Sequence, residues 1–297
     1  MDSLDFKILK IMNGDARRSL KSIAEELGIT GTAVAKRIEG MVSEGVVKSF
    51  EVTFDPALLR LNVCIANVYL KGRYITSEII SELERIQEIY FATSSMNGTL
   101  TLMFYYESGE DLEMITEKIG MLKPVSRIET SIPRSHSIRD EFLSKLDWKL
   151  INSLNHDARK KNHKIAMELS VSTKTIKRRI DRLLKSGVVS FTVDVDLSKS
   201  KEHIIFLLVV DINTGVKKEK IREEIRKRYE DRIWSIEGPV HPSVVFFMYA
   251  ETLSEIGYFV DDVKEITEVR DARAELYTDH YRFTKMLDER IKIEAEG

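Results

Sequence analysis

LDFKILKIMNGDARRSLKSIAEELGI begins at Leu4, and LDWKLINSLNHDARKKNHKIAMELSV begins at Leu146. Laid side by side without gaps, Leu4, Asp5, Lys7, Asn13, Asp15, Ala16, Arg17, Ile23, Ala24, Glu26 and Leu27 recur as Leu146, Asp147, Lys149, Asn155, Asp157, Ala158, Arg159, Ile165, Ala166, Glu168 and Leu169. Arg37-Ile38 and Gly45-Val46-Val47 recur as Arg179-Ile180 and Gly187-Val188-Val189. Scattered chance identity does not preserve one apolar spacing at two places. The chain therefore reads as two copies of one module pair, divided near Pro133 to Lys145.

Each copy opens with three short helices. Leu4, Ile8, Ile11 and Met12 share one helical face, and Asn13-Gly14-Asp15 ends that helix. Ser19 suits the N-cap of a second helix cored by Ile23, Ala24 and Leu27, which Gly28 breaks. Thr30 suits the cap of a third, with Val34, Ile38, Met41 and Val42 inward and Gly45 as its stop. The second copy matches, with Ser172 as cap, Ile176, Ile180, Leu183 and Leu184 inward, and Gly187 as stop. Two helices joined by a short turn, the second well capped, make a helix-turn-helix. The β-rich runs Val46 to Phe54 and Val188 to Val195 then form a wing or a strand leading onward.

The rest of each copy alternates strand and helix. Leu61–Leu70, Tyr90–Met96, Thr99–Tyr106 and Val125–Ile132 read as strands, with an Asn97-Gly98 turn between the middle two. Ile79, Ile80, Leu83 and Ile86, and then Leu112, Ile115 and Ile119, supply two helices. In the second copy the strands fall at about 203–212, 232–237, 243–250 and 268–276, and the helices at about 216–229 and 253–264. That order is βαββαβ, the ferredoxin-like arrangement. The expected fold is α+β: two winged helix-turn-helix units alternating with two ferredoxin-like βαββαβ domains. The expected segments are 1–55, 56–135, 143–197 and 201–278, with a charged, helical tail over 279–297.

Charge separates the copies. From Leu4 to Gly45 there are seven Lys/Arg and six Asp/Glu, net +1; from Leu146 to Gly187 there are eleven and four, net +7. On the third helix of the second copy, Lys174, Arg178, Arg182 and Lys185 lie opposite the apolar face, with Lys177 at its edge. Such a face suits phosphates and base edges in a major groove. Ser172 and Thr175 flank its start, and Arg159, Lys160, Lys161 and Lys164 surround the preceding helix, where backbone phosphates are met. The first copy offers only Thr30, Thr32 and Lys36, with Gly40 and Ser43 at the remaining outer positions. Arg37 and Arg179 sit beside the apolar stripe and suit either DNA contact or a structural bond to a neighbouring helix terminus.

The pattern LDxxIL…DARxS…IAxxLGIT…VxxRIxxMxxxGVV, carried by Leu4 to Val47 and more loosely by Leu146 to Val189, resembles the Lrp/AsnC (feast/famine) transcription regulators. The βαββαβ segments look like that family's effector-binding and oligomerisation domain. The resemblance implies a regulator that binds double-stranded DNA, pairs through its sheets, associates into even-numbered assemblies and senses a small molecule such as an amino acid. With two module pairs fused, one chain would resemble a family dimer, and two chains a tetramer. The family's effector loop carries a glycine followed closely by an acid. Here Asn97, Gly98 and Thr99, and then Gly238, His241 and Ser243, occupy those loops without the acid. The effector contact is carried over to these six residues, while turn-making by Gly98 and Gly238 is the simpler reading.

The bulk numbers set limits. A chain of 297 residues with net charge −2 and 43% hydrophobic residues holds ordinary cores. The single cysteine, Cys64, allows no internal disulfide and no Cys-based zinc site, and reads as a buried thiol. The start, MDSLDFKILK, is unlike a signal peptide, and no apolar run reaches the roughly 18 residues of a membrane span. The expectation is a cytoplasmic protein that uses no cofactor or metal. No P-loop, dinucleotide fingerprint or HExxH marks an enzyme. Two alternatives stand beside the regulator. Some siroheme decarboxylases share this plan, although His136, His156, His163, His203, His241 and His280 are scattered here. An assembly protein using its helix-turn-helix units only for packing is the other.

Overall fold

The computed structural model describes residues 1–71, 77–133, 143–200, 202–237 and 243–297. In chain order, the first copy contains α1 (Ser3–Gly14), α2 (Leu20–Leu27), α3 (Gly31–Ser43), β1 (Val47–Phe54), β2 (Asn62–Leu70), α4 (Ser77–Glu84), β3 (Ile89–Ser95), β4 (Thr99–Tyr106), α5 (Gly109–Gly120) and β5 (Val125–Ser131). The second contains α6 (Lys145–Leu154), α7 (Asn162–Glu168), α8 (Thr173–Ser186), β6 (Val189–Val195), β7 (Ile204–Ile212), α9 (Lys218–Arg228), β8 (Ile233–Glu237), β9 (Val244–Ala250), α10 (Leu253–Lys264) and β10 (Val269–Arg282), with α11 (Lys285–Glu296) last. Among the described residues no helix is long and apolar enough to cross a membrane.

The chain forms two compact units, and each draws on both copies. One holds the helix-turn-helix segments as far as Arg60 and Lys199 together with α11; the other holds the strands and helices between.

In the helical unit, local chemistry fixes the helix ends. The hydroxyls of Ser19, Thr30 and Ser172 accept the backbone N–H groups of Ser22, Ala33 and Thr175, each at 3.1 Å, satisfying donors the first helical turn would leave orphaned. Gly45, just beyond α3, and Gly187, at the end of α8, adopt φ of +75° and +73°, the left-handed conformation an L side chain resists. The buried face of α1 is Phe6, Ile8, Leu9 and Met12, with Leu4 and Ile11 only half-buried. Val42 and Leu184, expected inward, are 46% and 37% exposed. At 100° per residue each lies about 80° from the first residue of its stripe, at the rim of the packed face.

The β-run after each helix-turn-helix forms no hairpin of its own among the described residues. β1 instead pairs antiparallel with β6 in a two-stranded sheet. The register respects the repeat: Val52 pairs with Phe191 and Ser49 with Asp194, while the repeat counterparts of Ser49 and Val52 are Phe191 and Asp194 themselves. An approximate twofold axis therefore passes through this sheet. Each strand also reaches the other copy's helices. Thr192 Oγ1 donates to Asn13 Oδ1 at 2.6 Å, and Phe54 packs edge-on against Trp148 with ring centres 5.6 Å apart. The unit ends on α11, which buries Ile291 and Ala295. Its Asp288 accepts from Asn155 Nδ2 (2.5 Å), and Lys145 Nζ donates to the Glu296 carbonyl (2.6 Å).

The other unit is an eight-stranded sheet in the order β5-β2-β4-β3-β10-β7-β9-β8. Each half is a βαββαβ module with its own core, one centred on Phe104, Leu102 and Leu83, the other on Phe206, Phe246 and Phe259. β10 welds them. Val269 to Leu276 pairs with β7, and Tyr277 to Arg282 continues along β3. Side chains reinforce this seam: Thr93 Oγ1 donates to the Asp279 carbonyl (3.1 Å), and Ser94 and Thr278 share a hydroxyl bond of 2.5 Å. The sequence suggests a strand that stops near Leu276, because the polar residues beyond it resemble a solvated tail; they are instead held by backbone pairing, which needs no apolar side chains.

Candidate nucleic-acid interface

The two third helices, α3 and α8, share a scaffold and differ in what they present. Val34, Ile38 and Met41 in α3, and Ile176, Ile180 and Leu183 in α8, are buried. Behind each helix the same clamp recurs. Arg37 Nη1 donates to Asp2 Oδ2 and Asp5 Oδ1, both at 2.8 Å; Arg179 Nη1 donates to Ser144 Oγ (3.0 Å) and Asp147 Oδ1 (2.8 Å). Of the two roles open to Arg37 and Arg179, the structure supplies the structural bond to the start of the first helix. Burial pushes the Asp147 carboxyl up, but hydrogen bonds from Ser144 and Arg179 outweigh it and hold the group below its usual range. Arg182 Nη2 also donates to Asp147 Oδ2 at 2.6 Å, so this cation serves the scaffold while half its side chain stays exposed.

Arg159, grouped by sequence with the phosphate-binding cations, occupies a different place. It donates to the Ala16 carbonyl (2.8 Å) and lies over the Phe50 ring at 5.4 Å. Its counterpart Arg17 mirrors it, bonding to the Ala158 and Lys160 carbonyls and to Asn162 Oδ1 (2.6 Å), and lying over Phe191 at 5.4 Å. Burial pulls both guanidinium pKa values down. The pair clasps one copy to the other. Lys160 is likewise engaged, with Ser153 Oγ (3.1 Å) and Glu168.

The remaining cations of the second copy face outward. Lys174, Lys177, Arg178 and Lys185 on α8, and Lys161 and Lys164 at α7, are exposed. No described residue forms an ion pair with any of these six. Ser172 is exposed and Thr175 half-buried at the N-terminal end of α8. In the first copy Thr30, Thr32 and Lys36 are exposed, and two cations at and before the start of α2 are offset by acids: Arg18 pairs with Glu26, and Lys21 with Glu25.

In the sheet unit, Gly98 takes φ +82° in the β3–β4 turn, and the Asn97 side chain accepts the Thr99 N–H at 2.9 Å. Thr99 is buried. Ser243 is buried and hydrogen-bonded to Asp211. Gly238 and His241 lie outside the described residues. Of the histidines, His203 packs edge-on to Tyr249 and His280 stacks on Phe91, while His156 and His163 are exposed in the helical unit; His136, like His241, lies outside the described residues.

Two helix-turn-helix units tied by a shared sheet, one with an outward face of cations that pair with no acid among the described residues, define a two-headed helix-turn-helix protein. Comparison with known proteins narrows the class. The AsnC-type helix-turn-helix domain matches twice, over residues 1–42 and 143–184. The HTH-type transcriptional regulator LrpA of Pyrococcus horikoshii is 30% identical over 132 residues, 43% of this chain and 92% of that protein. The regulatory protein AsnC of Haemophilus influenzae is 28% identical over 142 residues, 46% of this chain and 94% of that protein. This chain belongs to the Lrp/AsnC family of helix-turn-helix transcriptional regulators. Over nearly its whole length it also shares a fold with the crystal structure of the siroheme decarboxylase NirDL in complex with an iron-uroporphyrin III analogue: TM-score 0.57, 13% identity, covering 98% of this chain and 99% of that one.

Proposed function

We propose that the chain binds double-stranded DNA as a transcriptional regulator, with α8 as its principal recognition helix. The observation that carries this reading is the set of exposed cations on α8 that no described acid neutralises: Lys174, Lys177, Arg178 and Lys185. Laid in a major groove, these side chains reach base edges and flanking phosphates. Lys161 and Lys164 meet the neighbouring backbone, and Ser172 and Thr175 offer hydroxyls where α8 enters the groove. Thr30, Thr32 and Lys36 form the weaker contact of the first copy. Arg37, Arg159 and Arg179 serve the scaffold. Self-association of two chains, the habit of the family, would place four such heads in one assembly, acting in the cytoplasm.

The test is binding of a fluorescein-labelled random-sequence duplex at low salt, followed by anisotropy. A Kd of about 1–100 µM or tighter is expected for the sequence-independent component alone. No binding at low salt contradicts the proposal. One observation favours a second reading, the fold shared with the siroheme decarboxylase. A shift of the siroheme absorption bands on mixing with the protein, together with failure to bind duplex, would favour that reading instead.

A further inference from the structure

We propose that one chain selects a DNA site built of two unlike half-sites, each read by a different copy of the helix-turn-helix. The inference rests on the DNA-binding reading above and deepens it.

Two observations carry it. First, the arms are joined within one chain as a matched pair. The symmetric β1–β6 register and the reciprocal clasps of Arg17 and Arg159 tie the copies about an approximate twofold axis. Two heads so related match the twofold relation of paired half-sites on a duplex, which lie a helical turn or a multiple of it apart. Second, the residues that hold each recognition helix in place are alike, whereas the outward ones are not. Inward, Val34, Arg37, Ile38 and Met41 match Ile176, Arg179, Ile180 and Leu183. Outward, Thr32, Ala33, Ala35 and Ser43 stand where α8 has Lys174, Thr175, Lys177 and Lys185, and only Lys36 and Arg178 keep a cation at a matched position. A symmetric scaffold thus carries two different reading faces, and a palindrome satisfies only one of them.

The chemistry of the faces assigns the halves. Long cations approach guanine O6 and N7, the commonest specific contact of Arg and Lys, so the α8 half is expected to contain guanine. The methyl groups of Thr32, Ala33 and Ala35 suit the thymine C5-methyl, so the α3 half is expected to be rich in A·T pairs.

The test uses the full chain and duplexes of about 20 base pairs, long enough for two adjacent major-groove half-sites and too short for a second chain's pair. Selection from a randomised pool is expected to yield two unlike halves. The mixed duplex is then compared with the two palindromes made by repeating either half. The mixed site is expected to bind at least about tenfold tighter than both, since each palindrome mismatches one reading face at several base pairs. A palindrome that binds as tightly as the mixed site overturns the proposal, as does a consensus with only one half. Absence of any duplex binding at low salt overturns the regulator reading itself, a separate result. A variant carrying Thr32→Lys, Ala35→Lys and Ser43→Lys is expected to shift preference about tenfold toward the palindrome of the α8 half.

Discussion

The first and second helix-turn-helix units are the same object underneath and different objects on the surface. Both bury the same positions of the first helix: Asp5, Phe6, Ile8, Leu9 and Met12 in one, and Asp147, Trp148, Leu150, Ile151 and Leu154 in the other. Both clamp the third helix with an Arg–Asp pair. Yet one copy is nearly neutral and the other carries net +7. The contrast separates two kinds of charge. Arg17, Arg37 and Asp5 reappear at matching positions together with their partners, and these groups build the scaffold. Lys174, Lys177 and Lys185 have no charged counterpart in the first copy, and these face solvent.

The sharpest break in the comparison is on DNA. Replacing Lys174, Lys177 and Arg178 together with Ala is expected to weaken binding to random duplex at low salt by about 100-fold or more, because several phosphate contacts are lost. Lys36→Ala, the corresponding change available in the first copy, is expected to cost less than about fivefold. Anisotropy titrations at one fixed salt concentration check both.

A smaller effect concerns the clamps. Asp147 is fully buried beneath two arginines, whereas Asp5 meets one and retains 12% side-chain exposure. Asp147→Ala is expected to destabilise the fold by about 2–3 kcal/mol, because Arg179 keeps its charge and loses its partner, and Asp5→Ala by about half that. Urea unfolding with both variants measures the difference. The acid response has a definite sign. The folded-state pKa of Asp147 is lowered, so its contribution is present above the ordinary carboxylate value and is lost as pH falls from about 4 downward. The Asp147→Ala variant is expected to show a shallower loss of stability than the parent across that range.

The smallest difference is expected where the copies are most alike. Arg17→Ala and Arg159→Ala each break one half of the reciprocal clasp and are expected to cost about 1–2 kcal/mol, Arg17 the more, since it leaves the Ala158 and Lys160 carbonyls and Asn162 without their donor where Arg159 leaves only the Ala16 carbonyl. Unequal losses of more than about 1 kcal/mol in urea unfolding would show that the clasp is not symmetric in energy.

Much of this was legible in the sequence. Apolar spacing gave the three helices of each copy, the hydroxyls of Ser19, Thr30 and Ser172 gave three of their caps, and alternating segments gave the βαββαβ order. The partner of β1 was not legible, because it lies in the other copy and a strand's own pattern does not name its mate. Nor was the role of Arg159, which belongs to a basic run and differs from its neighbours only in having a repeat counterpart, Arg17. That recurrence is the available signal, Arg17 and Arg159 each closing an Asp-Ala-Arg triplet kept in both copies. The last six residues of β10 and the docking of α11 were hidden for a related reason, since polar sequence paired through its backbone resembles polar sequence in solvent.

The central claim is that the second copy supplies the electrostatic grip on DNA. Its most direct test is affinity for a random-sequence duplex across a salt series, for the parent chain and the Lys174, Lys177 and Arg178 triple variant. Each phosphate contact contributes about 0.9 to the slope of log affinity against log salt. The account predicts a steep fall for the parent and a slope shallower by about two to three for the variant. An unchanged slope, or a parent that shows no salt-dependent binding at all, would contradict it.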